Sequence, residues 1–493
     1  MLGYIKDFIK STVDYTKDKK IQEAINREEH KKFCVLPFIH LATTTEGNCR
    51  LCCKVSKTDV ITDENGNPYN VNQHSIDEIW NSEYMRDVRI RLLNDEQIPQ
   101  CKTCWNEEDI FYSEWSKDHK RKGEIPSKRR FENQKWLHKE KTKLDTEWSD
   151  IVNKPQIRYL DIRLSNLCNL KCRMCWPHFS SQISKEQQEF AQKGLPTWYK
   201  NYEIEEWDTA KLWQGIRANL VELQEITFVG GEPTLHEEMY ELLDHLVETK
   251  LSLDIRLKFT TNLTNIQERF YYYASNFKNT VINGSIDGVG DTAEYIRFPS
   301  DWATVERNID RMLQTRRENF LSITLTPVIQ IYNLWNIGHM VRWYVDKWLN
   351  LDDGKNKKYF VLHMDLLYDP HYLSVKLLNP KSKQRWWDEV CWPTLQYLDD
   401  ITENIHTYDK WSQLYWKEIV ELRKRIVNIA QYMEVLQFDD NNQLAVIIDD
   451  VQPDPELIGK LKDYTFQLDK HRKQSIYDIM PHFDEIVNDQ TTQ

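Results

Sequence analysis

Ten cysteines are the residues of this chain best suited to chemistry, and nine of them fall in tight groups before residue 176. The groups are Cys34; Cys49, Cys52 and Cys53; Cys101 and Cys104; and Cys168, Cys172 and Cys175, while Cys391 stands alone. In a large chain of a reducing compartment, such groups are more often metal ligands than disulfides. The sharpest is Cys168-Asn169-Leu170-Lys171-Cys172-Arg173-Met174-Cys175, a C-x3-C-x2-C array. Three thiolates from one loop can hold three irons of a [4Fe–4S] cube and leave the fourth iron without a protein ligand. A four-cysteine cluster is saturated and carries electrons. An open coordination position is what separates catalytic metal sites from structural ones. Zinc is the alternative, and its fourth ligand would have to come from elsewhere, with His178 as the only nearby candidate.

These cysteines need elements to hold them. From residue 157 the chain reads as short β-rich runs separated by helical stretches. The runs are 157–165, 225–231, 254–262, 280–288, 322–330 and 359–367, with helix-period segments such as 236–250 and 301–315 between them. Strands alternating with helices imply βαβ units and a parallel sheet. Six units are too few for the eight-stranded closed barrel, so an α/β partial (β/α)6 barrel is expected. The strand ends carry Gly230-Gly231-Glu232-Pro233, Thr260-Thr261-Asn262 and Ser285-Ile286-Asp287-Gly288. Active sites of parallel β/α barrels lie at the C-terminal strand edge, so these signals converge beside the cysteine loop. Glycine is scarce, 14 in 493, yet five of the 14 lie between Gly230 and Gly290.

CNLKCRMC followed 55 residues later by GGEP, then TTN and SIDG, resembles the radical S-adenosylmethionine (SAM) superfamily over roughly residues 155–370. The resemblance implies that Cys168, Cys172 and Cys175 ligate a [4Fe–4S] cluster whose open iron chelates the amino and carboxylate groups of SAM. One electron then cleaves an S–C bond and a 5′-deoxyadenosyl radical forms next to the substrate; cluster potentials reach about −700 mV. By the same resemblance Gly230, Gly231 and Glu232 meet the SAM amino group, and Asn262 and Ser285 lie near the ribose. Arg297, twelve residues after Ser285, pairs the SAM carboxylate, for which a guanidinium fork is suited. Gln330 and Asn333 are further pocket candidates. Met174 occupies a position that is often aromatic elsewhere in the superfamily.

Residues 34–53, 75–89 and the Cys101-Lys102-Thr103-Cys104 pair resemble a SPASM or twitch module, which binds auxiliary [4Fe–4S] clusters. Cys34, Cys52, Cys101 and Cys104 match its ligand pattern best and imply one cluster, while Cys49 and Cys53 are alternates or buried thiols. The module precedes the core here, whereas relatives usually carry it afterwards. Zinc remains an alternative for two C-x2-C-like pairs. Cys391 is expected to be a buried thiol.

The expected organisation is an N-terminal helix (1–30), the auxiliary domain (31–115), a basic helical linker (116–154), the radical SAM core (155–375) and a mostly helical C-terminal region (376–493). The last contains Trp411, Tyr415, Ile419, Leu422, Ile426 and Ile429 along one face of a long helix, and Trp386, Trp387 and Trp392 as packing residues. Residues 117–143 hold eleven Lys/Arg against four Asp/Glu, which reads as a solvated face. The 40% hydrophobic content and 18 Trp argue for packed cores. The net charge of −12 makes general affinity for nucleic acid an unfavoured reading. No apolar run spans a membrane and the start lacks a signal-peptide h-region, so a cytoplasmic protein is expected. The expected activity is hydrogen-atom abstraction from a peptide or protein side chain, with the auxiliary cluster relaying an electron from an external low-potential reductant of flavodoxin or ferredoxin type. Dehydrogenation of a small aminosugar-like molecule is the alternative, since no leader-binding domain is visible. A non-catalytic iron–sulfur or zinc scaffold is the reading from another class.

Overall fold

The computed structural model describes residues 32–106 except 57, then 154–199, 209–218, 222–315, 321–351, 354–438 and 444–488. The helix expected over 1–30 and the linker expected over 116–154, apart from Lys154, lie outside the described residues. The chain divides into two compact units, Met1–Asn166 with Ile204–Lys258 and Leu167–Glu203 with Phe259–Gln493.

In the first unit the cysteine-rich module and the first strands of the α/β core share one mixed sheet. Strand β1 (His40–Thr43) pairs antiparallel with β2 (Cys49–Arg50) and parallel with β3 (Tyr159–Arg163). Strand β3 in turn pairs parallel with β4 (Glu225–Val229). The register His40↔Tyr159 is reinforced at its end, where Arg163 donates its main-chain N to Thr43 Oγ1 and its Nη1 to Thr43 O, both at 2.9 Å. The turn between β1 and β2 depends on Gly47, at φ +85°, where an added Cβ would stand 2.9 Å from Asn70 Oδ1. That asparagine is fixed in turn, its Nδ2 donating to Glu46 O and Asn48 Oδ1. Ser75 and Glu78 form a reciprocal capping box at the start of the helix Ile76–Trp80. The helix Glu237–Glu248 buries Met239, Tyr240, Leu242, Leu243 and Leu246 on one face, with two glutamates in the first turn where the helix dipole favours them.

Strand β5 (Arg256–Thr261) carries the chain from the first unit into the second. There β6 (Asn279–Gly284), β7 (Leu321–Leu325) and β9 (Phe360–Leu362) pair in parallel. Burial alternates along β5, β6 and β7, the mark of a sheet with one fully packed face. The runs expected as single strands over 322–330 and 359–367 are each broken in two. Pro327 has no N–H to give to a ladder, so β7 stops before it. The second pieces, β8 (Val328–Ile329) and β10 (Asp365–Leu366), pair with each other in a separate parallel ribbon.

The region after 376 is rich in helix, with one small hairpin of β11 (Leu436–Phe438) and β12 (Leu444–Val446). The expected long helix is two, Lys410–Tyr415 and Lys417–Tyr432. Ile419, Leu422, Ile426 and Ile429 form the buried stripe of the second, whereas Trp411 and Tyr415 on the first are only half-buried. Trp386 is a core residue, its Nε1 donating to Leu334 O at 3.0 Å. Trp392 is 47% exposed and stacks on Trp387, so it lies outside the core. Among the described residues no helix is long and apolar enough to cross a membrane.

Candidate functional site

In the second unit the C-x3-C-x2-C segment folds as a loop without regular structure, tied down mainly through its backbone. Lys171 N donates to Phe298 O and Arg173 N to Ile296 O at 2.8 Å, so the loop runs beside the segment that holds Arg297. Ser180 Oγ donates to Leu170 O at 2.7 Å, and Ser181 Oγ exchanges hydrogen bonds with the main chain of Cys168. Cys168 and Cys172 are buried and Cys175 is half-buried, and all three pack with Leu170 and Met174. Burial pushes the thiol of Cys172 up, with the Arg297 charge opposing it; burial and the neighbouring Cys172 and Cys168 push Cys175 up. Thiols of this kind become thiolates when a cation sits among them and displaces their protons.

Arg297 reaches this loop, its Nη1 standing 3.9 Å from Cys172 Sγ. Its Nε stands 2.7 Å from Asp287 Oδ2, and Asp287, fully buried, also accepts Val328 N at 2.8 Å. Burial works against the charge on Arg297, but Asp287 and then Cys172 outweigh it and hold the guanidinium above its ordinary value. Asp287 belongs to the SIDG motif, yet its role as the anchor of Arg297 was not read from sequence. The signal was a carboxylate ten residues before an arginine, too common to stand out.

Asn262 donates its Nδ2 to Asn169 Oδ1 at 2.9 Å and accepts from Thr264 N and Oγ1, so the end of β5 braces the cysteine loop. Ser285 is half-buried, and its main-chain N donates to Thr261 O. Asn333 is fully buried, accepts Gln330 N and donates to Val328 O. Gln330 is fully buried too, and its side-chain amide has no hydrogen-bond partner among the described residues.

Gly230, Gly231 and Glu232 belong to the first unit. Gly230 has φ +120°, and a Cβ there would stand 3.0 Å from Ser165 O; Gly231 N donates to that same oxygen. Glu232 is fully buried, with Oε1 accepting Thr234 N and Oγ1, so it caps the short turn Pro233–Leu235.

The module's cysteines are also brought together. Cys34, Cys52, Cys101 and Cys104 line one pocket with Leu36, Lys54, Val55, Gln100 and Thr103. Cys34 lies just before the helical turn Leu36–Ile39, Cys52 in the turn after β2, and Cys101 closes the turn Pro99–Cys101. Arg89, buried, donates Nε to Pro37 O at 2.8 Å and stacks on Trp80, which fixes the segment after Cys34. Arg50 Nη1 donates to Val55 O at 3.0 Å and closes the turn that carries Cys52. Burial first, then the neighbouring Cys101 and Cys52, pushes the Cys34 thiol well up. Cys53 does not line the pocket. Cys49 lies on β2, where burial takes its thiol to about 12. Cys391 is buried in a helical turn, its thiol likewise pushed to about 12 by burial. Among the described residues no three His, Cys, Asp or Glu side chains are arranged to hold a single metal ion. Four thiols around a shared pocket, and three on one loop, suit an inorganic group with several metal atoms.

Residues 162–344 match the Radical SAM superfamily, and residues 34–105 match the SPASM iron–sulfur cluster-binding domain. The chain therefore carries a radical SAM domain with an auxiliary iron–sulfur domain on its N-terminal side. Among solved structures it is similar to anSMEcpe with bound AdoMet, at 19% identity and a TM-score of 0.35, covering 50% of this chain and 62% of that one. It is similar to Streptococcus suis SuiB bound to S-adenosylmethionine, at 14% identity and a TM-score of 0.33, covering 64% of this chain and 63% of that one. The chain thus spans under two thirds of the length of these structures. Kitasatospora setae TsrM, a radical S-adenosylmethionine methyltransferase, is similar at 11% identity and a TM-score of 0.29, covering 40% of this chain and 32% of that one. No curated protein matches.

Proposed function

We propose that the chain is a radical SAM enzyme that acts on a peptide or protein side chain. The observation that carries this is the loop of Cys168, Cys172 and Cys175 with the guanidinium of Arg297 against Cys172. The donor set fits the group: three thiols without a fourth leave an open position. When bound, a [4Fe–4S] cluster with SAM supplies one-electron cleavage of a sulfonium and so a 5′-deoxyadenosyl radical, and an auxiliary cluster at Cys34, Cys52, Cys101 and Cys104 supplies a second redox centre.

The chain's own residues bind and orient. Cys168, Cys172 and Cys175 would hold the iron. Arg297, aimed by Asp287, offers its remaining N–H groups to the SAM carboxylate. Gly230 and Gly231 bring bare backbone to the SAM amino group, with Glu232 beside them. Ser285 and Asn262 serve the ribose side. A peptide is the substrate class taken first, following the resemblance carried by the two cysteine motifs, with a small aminosugar-like molecule as the alternative. An external low-potential reductant completes the system, and the protein is read as cytoplasmic.

The test is anaerobic reconstitution with iron and sulfide, followed by SAM and a strong reductant. The expected product is 5′-deoxyadenosine, and about 8 Fe per chain if both sites hold four-iron cubes. Replacing Cys168, Cys172 and Cys175 together with Ala should abolish the product and remove about half of the iron. Product formation by that triple variant would reject the reading.

A further inference from the structure

The C-terminal region carries no motif, yet its helix Pro455–Arg472 makes buried polar contacts to the cysteine loop. The key residue on the loop is Arg173, placed between Cys172 and Cys175. Its guanidinium is wholly buried, and a buried charge is costly unless paired and hydrogen-bonded. Nη2 donates to Asp469 Oδ1 at 2.6 Å and to Gln474 Oε1 at 3.0 Å, while Nε donates to Tyr295 O at 3.0 Å. The guanidinium lies 3.6 Å from the centre of the Tyr295 ring. The carbonyl oxygen of Arg173 accepts Tyr464 OH, from the same C-terminal helix. Asp469 is itself aimed, since its Oδ1 accepts Tyr295 OH and its Oδ2 accepts Ile476 N.

A second clamp lies one helix further on. Arg472 makes a bidentate pair with Glu186, at 3.0 and 2.6 Å, both side chains 1% exposed. Glu186 belongs to the helix Ser181–Gln192, whose N-terminal Ser180 and Ser181 hold the main chain of Leu170 and Cys168. The C-terminal helix therefore grips the loop both between its last two thiols and through the helix that follows it.

We propose that Asp469, acting through Arg173, and Arg472, acting through Glu186, are positioning residues that set the spacing of Cys168, Cys172 and Cys175. This rests on the reading of those cysteines as cluster ligands. A helix that served only to cover the core would meet the loop with apolar side chains. This one instead makes two buried ion pairs, one to Arg173 between the thiols and one to Glu186 on the helix that follows them. A shift of Arg173 carries Cys172 and Cys175 with it, because only one residue separates it from the latter and none from the former.

The experiment uses the full chain, reconstituted without oxygen, with the iron of the auxiliary cluster as internal reference. Asp469→Ala is expected to weaken iron retention at the loop about 10–100-fold in chelator competition, the usual cost of losing a partner behind a metal ligand. Iron held by Cys34, Cys52, Cys101 and Cys104 should not change. The electron paramagnetic resonance signal of the loop cluster, and its response to SAM, should broaden or shift, and Asp469→Glu should restore both. A wild-type spectrum and wild-type iron retention in Asp469→Ala would overturn the proposal. If Asp469→Ala does not fold, judged by near-ultraviolet circular dichroism, Gln474→Ala takes its place. That variant removes one hydrogen bond from Arg173 Nη2 and keeps the ion pair, and an unaltered loop-cluster spectrum in it is equally fatal. If instead the wild-type chain and its triple cysteine variant hold equal iron, the ligand reading itself has failed, and the clamp has nothing to position.

Discussion

Arg297 shows how much a single side chain depends on its neighbours. It is half-buried, stands 2.7 Å from Asp287 and 3.9 Å from Cys172 Sγ, and among the described residues still has N–H groups left for a ligand. Arg297→Lys keeps the charge but loses the planar fork. Calorimetric titration of SAM into the reconstituted variant is expected to show affinity lower by roughly 10–100-fold, the worth of a charge-assisted hydrogen bond of about 1.5–3 kcal/mol. Iron content should hold. Unaltered affinity would remove Arg297 from the SAM site. Gly230 makes a different kind of point, because its φ of +120° and the 3.0 Å approach to Ser165 O both exclude a side chain. Gly230→Ala should lower stability by about 1–3 kcal/mol, read from denaturant unfolding of the apo chain, and a neutral result would mean that the turn can relax.

The elements were legible where their pattern is local. The cysteine loop, the glycine-bearing strand ends and the six β-rich runs all announce themselves within a few residues, and the core strands overlap the expected runs, with Asn279–Gly284 and Leu321–Leu325 each starting one residue earlier. What the pattern could not give was pairing. His40–Thr43 lies between two cysteine groups of the module, and nothing near it names β3 as its partner, yet the register His40↔Tyr159 makes it part of the core sheet. Pro327 marked the break in the fifth run, but the pairing of β8 with β10 depends on residues far along the chain. Choosing among Cys49, Cys52 and Cys53 was likewise a question of which way a strand and its following turn face. Cys52 lines the pocket with Cys34, Cys101 and Cys104, Cys53 does not, and Cys49 is fixed on β2. Cys52→Ser is therefore expected to lose the auxiliary cluster, about 4 Fe per chain, while Cys53→Ser and Cys49→Ser keep it. Iron analysis of the three variants in parallel checks this, and loss in Cys53→Ser with retention in Cys52→Ser would reverse the assignment.

On the scale of the whole molecule, the proposed site residues lie in both compact units, and the region without motifs is tied to the cysteine loop. Asp469 lies 296 positions from Arg173. No window of sequence reveals such a partner, and an acidic residue near a helix end reads as surface until the fold is closed. The sharing of one sheet between β1 and β3 has a consequence for how the protein is made. On the ribosome, the strand His40–Thr43 emerges long before Tyr159–Arg163, and until then one of its edges offers bare amides and carbonyls to any passing chain. That edge stays open until the second strand has been made, and the strand that closes it contributes no cysteine.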